Sequence, residues 1–145
     1  VRPITVVIAD QDKARRTSCL RLLRLRRDIR VLGQARSGLE ALAATRLRPQ
    51  VLLLDLSLSR GHGSDLLPAI RKSSPGTKII LVAGRASETR ILEGLCHGAR
   101  GYLDKRFLRT FLAKAVRLVG AGQAWVSRGI VPGIVDRLAR PAAQA

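Results

Sequence analysis

The sequence predicts an α/β fold, a doubly wound parallel sheet, on three observations. Short runs rich in Val, Ile and Leu recur five times, longer amphipathic stretches separate them, and charged residues stand where apolar runs stop. A run that is apolar throughout suits a strand covered on both faces, and apolar residues every three or four positions suit a helix lying across it. With 145 residues, 46% of them hydrophobic, the chain can build one compact domain and is not a disordered tail.

Strand one is predicted at Ile4–Ala9 and the first helix at residues 13–26. There Cys19, Leu22, Leu23 and Arg26 fall at i, i+3, i+4 and i+7, with Arg26 snorkelling at the end of the stripe. Strand two follows at residues 30–34. Ser37-Gly38-Leu39-Glu40 is a capping box that satisfies two amides left free at a helix start, and this helix runs to about Leu47. After Pro49, residues 51–54 form an uninterrupted apolar strand that ends in Asp55. Residues 57–63 are polar and glycine-bearing, a loop before a helix at 64–73, and Pro75-Gly76 turns the chain into strand four at 78–82. A helix at 87–96 ends near Gly98, strand five takes residues 101–103, and a final helix runs from Phe107 to about Val119. Five strand and helix pairs within roughly 120 residues is the economy of a doubly wound sheet. From Gly120 glycines and prolines loosen the chain before an apolar stretch at 134–138 and a small-residue end at 141–145. A domain at 1–122 and a linker with a short helix at 123–145 are expected. The linker lacks the turn and second amphipathic helix of a helix-turn-helix module, and the absence of methionine even at position 1 suggests an excised piece.

Lys plus Arg number 27 against 10 Asp plus Glu, a net charge of +17 that points to a polyanion partner through counterion release. Arginines are spread over nearly every segment, however, and a general arginine bias yields the same total. The dense cluster, Lys13, Arg15, Arg16, Arg21, Arg24, Arg26, Arg27 and Arg30 against Asp28 alone, reads as a solvated helix face in preference to a phosphate track. A nucleic-acid-binding domain using Arg21, Arg24 and Arg27 is the alternative. An aromatic content of 3% argues against a stacking platform for single strands. Cys19 and Cys96 read as small buried hydrophobes; with His62 and His97 they lack the spacing of a zinc ligand set. No G-x-S-x-G elbow or Walker loop marks a hydrolase. No apolar run approaches the ~20 residues of a membrane helix, and Asp10 and Asp12 interrupt the first one too early for a signal peptide. A soluble, cytoplasmic chain with no membrane role is expected.

Open parallel sheets bind ligands outside the carboxyl ends of their strands, and Asp10, Asp55 and Lys105 fall at three such ends. Converging carboxylates repel, so a divalent cation and a lysine ammonium are the natural neutralisers. The site is of the kind that takes a phosphoryl group.

The runs IADQD (residues 8–12), LLLDL (52–56) and GARGYLDK (98–105), in that order at strand ends, resemble the receiver domain of a bacterial two-component response regulator of the NarL/FixJ, or LuxR-type, branch. The resemblance covers about residues 4–124, and AGQAW (121–125) is similar to the segment that closes that branch's receivers. It implies a flavodoxin-like strand order 2-1-3-4-5 and a signal-receiving domain that accepts or mimics aspartyl phosphorylation. Dimerisation and a DNA-binding output domain outside this chain would be what it controls. It also implies no enzyme activity beyond Mg²⁺-dependent self-phosphotransfer onto Asp55. By that resemblance Asp55 would accept the phosphoryl group from a histidine kinase, and Lys105 would contact the phosphoryl oxygens. Asp10, Asp55 and the backbone carbonyl of Ser57 would hold Mg²⁺, and the working form would be a homodimer. Tyr102 falls on the family's switching aromatic; by residue type alone it reads equally as a core aromatic on a short strand.

Two departures from the family pattern bear on chemistry. Gln11 stands where a second acid is usual, and the loss of one carboxylate at ~4 Å removes on the order of 4 kcal/mol of attraction for a cation at an effective dielectric near 20. Mg²⁺ binding should be weakened or absent, with Asp12 as a substitute ligand one residue on. Ala83, followed by Gly84, stands where a hydroxyl residue usually ends strand four, so a charge-assisted bond to the phosphoryl oxygen, and its coupling to Tyr102, is lost. Ser59 and His62 replace a common proline and acid, which affects loop stiffness. Gln11 and Ala83 together favour a phosphorylation-independent pseudo-receiver that acts by protein contacts.

Overall fold

Apolar runs that must be covered on both faces assemble into one parallel sheet. The computed structural model describes residues 2–59, 66–84 and 88–140. Its elements are β1 (Ile4–Ala9), α1 (Lys13–Arg24), β2 (Ile29–Ala35), α2 (Gly38–Ala44), β3 (Val51–Asp55), α3 (Leu66–Ser73), β4 (Lys78–Ala83), α4 (Glu88–Cys96), β5 (Gly101–Asp104), α5 (Leu108–Gly120) and α6 (Val131–Leu138). The five strands run in the order β2-β1-β3-β4-β5, and every neighbouring pair is parallel. This is the doubly wound, flavodoxin-like order.

Alternate residues of the strands face opposite layers, as the pleat requires. Val7, Leu52, Leu54, Ile79 and Leu81 pack with Leu67 and Ile70 of α3 and Ile91 and Leu92 of α4. Val6, Ile8, Leu53, Ile80 and Val82 pack with Leu23 of α1 and Leu112, Val116 and Val119 of α5. β3 is buried along its whole length, Asp55 included. Four strands run one residue past their predicted ends, to Ala35, Asp55, Ala83 and Asp104. Pairing such as Asp55 with Val82 and Ala83 with Asp104 is made by backbone amides, which continue the ladder after the apolar side chains stop.

Three expectations for side chains are corrected. α1 ends at Arg24, and Arg26 lies exposed beyond it; the buried stripe is Arg16, Cys19 and Leu23, so it opens on an arginine in place of closing on one. Arg16 tolerates burial because its guanidinium donates to the carbonyl of Asp10 at 2.8 Å. Cys96 is exposed, since the inward side of α4 is taken by Ile91, Leu92 and Gly94. Cys19 is buried as expected, and desolvation, with the charge of Asp10 behind it, pushes its thiol up to about 11. His62 and the predicted helix starts at Ser64 and Ser87 lie outside the described residues.

α4 stops where Gly98 takes a φ of +108°, a backbone conformation L side chains resist, and the amides of Gly98 and Ala99 close on the carbonyls of Leu95 and Gly94. The segment expected to be a linker runs along the outer edge of β5. The amide of Tyr102 donates to the carbonyl of Trp125 at 2.8 Å, and the amide of Trp125 donates to that of Arg100 at 3.2 Å, which covers backbone groups an edge strand otherwise exposes. α6 then lies against α4. Ile130 is buried, Ile134 packs on the same core layer, and a Cβ at Gly133 would come within 2.8 Å of Leu92, so glycine sets that close approach. No helix among the described residues is long and apolar enough to cross a membrane.

Candidate functional site

β1, β3 and β5 end on the same rim of the sheet, and each passes into its loop at a charged residue. The amide of Asp10 donates to the carbonyl of Ala35, extending the pairing of β1 with β2 past the last strand residue. Asp55 closes β3, and Lys105 directly follows β5. Lys105 Nζ lies 3.1 Å from Asp55 Oδ1, and both carboxylates are buried, Asp10 at 4% exposure and Asp55 at 3%. Ser57 also turns toward Asp55: its hydroxyl donates to Oδ2 at 2.8 Å and its amide to Oδ1 at 3.3 Å. The predicted residues Asp10, Asp55, Ser57 and Lys105 therefore meet in one pocket.

The pocket holds a residue that the sequence reading left among the solvated basic cluster. Asp12 caps α1, its Oδ1 accepting from the amides of Ala14 and Arg15 at 2.9 and 3.3 Å. That cap puts Arg15 in the first turn, and helical side chains lean toward the helix N-terminus, so the Arg15 guanidinium reaches back over the end of β1. Its Nη1 lies 3.2 Å from each oxygen of Asp10 and 4.0 Å from Asp55 Oδ2, and its Nη2 lies 3.3 Å from Asp12 Oδ2. One guanidinium thus spans three carboxylates. The sequence signal that marks it is an N-cap aspartate three positions before an arginine and two after a strand-end acid. Asp12 is engaged as cap and as partner of Arg15, and Gln11 is exposed. Arg21, Arg24, Arg26, Arg27 and Arg30 stay exposed, as a solvated basic face requires.

Ala83 ends β4 at 2% exposure, and its methyl offers no hydrogen bond to the pocket. Tyr102 on β5 is 6% exposed and belongs to the same core layer as Ala83, Ile91 and Leu92. Burial, followed by the charge of Asp104, pushes the Tyr102 hydroxyl above its ordinary pKa. Asp104 in turn is held below the ordinary carboxylate value chiefly by Arg106, whose Nη2 lies 2.9 Å away.

The two pocket carboxylates are driven apart. Burial raises Asp10, and the negative charge of Asp55 adds to this against the opposing Asp12 amide and Arg15. Burial also works to raise Asp55, but the Ser57 hydroxyl and Lys105 outweigh it and hold the group below its ordinary value. An acid whose folded pKa is raised contributes stability below its unfolded pKa and loses it as pH rises through the folded value. Asp10→Asn is therefore expected to melt higher than the parent at pH 7, with the advantage fading as pH falls through the carboxylate range. Thermal melts across that range are the check, and an equal gain in acid and at neutrality would contradict the burial cost assigned to ionised Asp10.

Residues 6–117 match the family described as the response regulator receiver domain. The nitrate/nitrite response regulator protein NarL of Escherichia coli (strain K12) is 30% identical over 137 residues, 94% of this chain and 63% of the relative. The response regulator GacA of Pseudomonas protegens is 32% identical over 146 residues, 98% of this chain and 67% of that protein. The signal receiver domain of the response regulator NarL from Mycobacterium tuberculosis superposes with a TM-score of 0.78 at 28% identity, covering 85% of this chain and 100% of that one. The chain spans 63% of the length of the Escherichia coli relative. With the strand order, the rim pocket of Asp10, Asp55 and Lys105, and a family match running from β1 into α5, this chain belongs to the receiver domains of NarL-type, LuxR-family two-component response regulators.

Proposed function

We propose that this receiver domain relays its signal without a phosphoryl group on Asp55, through contacts with other proteins and with a second copy of itself, to a DNA-binding output domain outside residues 1–145. Receiver domains are signal receivers and not enzymes in the general case. NarL of Escherichia coli and GacA are regulators longer than this chain, which supports an output domain; transcriptional control, a cytoplasmic setting and a histidine kinase among the partners belong to the same reading.

The observation that carries the phosphorylation-independent reading is that Tyr102 is buried in the same core layer as Ala83, in register with Leu81 while Ala83 pairs with Asp104. A switching aromatic needs a side chain at the end of β4 that a phosphoryl oxygen can pull, and a position to leave when pulled. Ala83 has no hydroxyl, so a charge-assisted bond worth roughly 1.5–3 kcal/mol has no donor. Tyr102 is already packed inward in the unmodified chain. A phosphoryl group would find the relay unconnected at its first step and already set at its last.

Self-phosphotransfer is the competing behaviour, and labelled acetyl phosphate with Mg²⁺ tests it. The parent chain is expected to take up no more label than Asp55→Asn, and its dimerisation, followed by sedimentation, is expected to be the same with and without the donor. Stoichiometric labelling that disappears in Asp55→Asn would overturn the reading.

A further inference from the structure

Receiver domains typically bind Mg²⁺ at the acidic rim site, and the residues of this chain do not fit that ion. We propose that Arg15 is the resident cation of the pocket: its guanidinium takes the place of the divalent ion and closes the site to Mg²⁺.

Charge is the first argument. Asp10 and Asp55 are both buried, and among the described residues Lys105 pairs only with Asp55. Without Arg15, Asp10 would be a buried carboxylate whose remaining hydrogen bond among the described residues is the Asp12 amide at 2.8 Å, and a buried charge in that state requires a counter-ion. Arg15 supplies it through two contacts of 3.2 Å. The two buried carboxylates then face two side-chain cations; the third carboxylate near Arg15, Asp12, is exposed and committed to the helix cap, and Gln11 adds no further negative charge for a divalent ion to balance.

The helix start is the second argument. The first turn of α1 contains no acid and carries Lys13, Arg15 and Arg16, an arrangement that opposes the helix dipole, which favours negative charge at that end. The carboxylates that offset it lie off the helix: Asp12 at the cap, and Asp10 and Asp55 at the strand ends, all within 4.0 Å of Arg15. Arg16 fastens the same turn from below through the Asp10 carbonyl. Two consecutive arginines thus hold the two acceptor groups of one aspartate, its carboxylate and its backbone carbonyl.

Geometry is the third. Mg²⁺ demands near-octahedral oxygen ligands at about 2.0–2.1 Å and keeps several waters. Arg15 Nη1 lies 3.2 Å from both oxygens of Asp10 and 4.0 Å from Asp55 Oδ2, within reach of both carboxylates such an ion would use, and among the described residues no three His, Cys, Asp or Glu side chains are grouped to hold a metal.

The test is Mg²⁺ binding by calorimetry, with Mn²⁺ relaxation as a second readout, on the full chain and on Arg15→Ala and Arg15→Ala/Gln11→Asp. The parent is expected to show no saturable binding at millimolar Mg²⁺, Arg15→Ala to bind at least about tenfold tighter, and the double variant tighter still. Saturable Mg²⁺ binding by the parent overturns the proposal whether or not the variants fold, and so does failure of both folded variants to bind. The inference deepens the phosphorylation-independent reading yet fails separately from it. Asp55-dependent labelling in the presence of a chelator would sink that reading and leave Arg15 as the cation. Mg²⁺ binding by the parent without labelling would sink the role of Arg15 and leave the reading.

Discussion

Ile80→Ala is expected to destabilise the domain by about 2–5 kcal/mol, the range for deleting a buried isoleucine to alanine when the surrounding packing relaxes only in part. Ile80 is fully buried at the middle of β4, paired with Leu53 on one side and Gly101 on the other, in the layer that α1 and α5 cover. Net domain stability is only about 5–15 kcal/mol, so a loss of this size lowers the melting temperature by on the order of 10 °C. Urea unfolding should show a lower midpoint at an unchanged slope, the mark of lost stability with the same surface exposed. Leu39→Ala is the matched control: Leu39 is 66% exposed, and its removal is expected to stay within about 0.5 kcal/mol. Comparable losses at the two positions would refute the assignment of β4 to the centre of the core. The strand matters beyond stability, because β3 and β4 carry Asp55 and Ala83 on their last residues and set how far apart they lie.

Lys105→Met is expected to cost about 1–3 kcal/mol at neutral pH, below the full cost of breaking a wholly buried ion pair because the lysine side chain is 25% exposed. The loss falls on Asp55, which stays buried with the Ser57 hydroxyl and a guanidinium at 4.0 Å. The pH dependence separates this from mere lost packing. Asp55 has its folded pKa depressed, so its contribution is present above the unfolded value and disappears as pH falls through the folded one. The gap between parent and Lys105→Met should thus be widest near neutrality and narrow in acid. A double-mutant cycle with Asp55→Asn should give a coupling of about 1–3 kcal/mol, and strictly additive single effects would show that the 3.1 Å contact carries no energy.

The two positions differ in how they could be known. Ile80 lies in a run of apolar residues bounded by turn signals, and burial on both faces is a property of that run alone. The same local logic placed β1 at Ile4–Ala9 and the Ser37 cap of α2, which its hydroxyl makes by accepting from the amide of Glu40 at 3.1 Å. It brought Asp10, Asp55 and Lys105 to one rim, because a parallel sheet sends every strand's carboxyl end the same way.

What the chain's order of residues determined by itself was the alternation of strands and helices, the strand ends to within one residue, and the acids and lysine standing at them, since these depend on periods of two and of three to four residues. Tertiary structure alone decided where long side chains and late segments went. Arg15 belongs to the pocket and not to solvent because β1, β3 and the α1 cap meet there, and Arg16 is buried because a backbone carbonyl awaits it. Cys96 faces outward, and residues 123–127 dock along β5, through packing between elements far apart in the chain. A flexible arginine can reach several angstroms in many directions, and only the field of neighbouring carboxylates selects one of them.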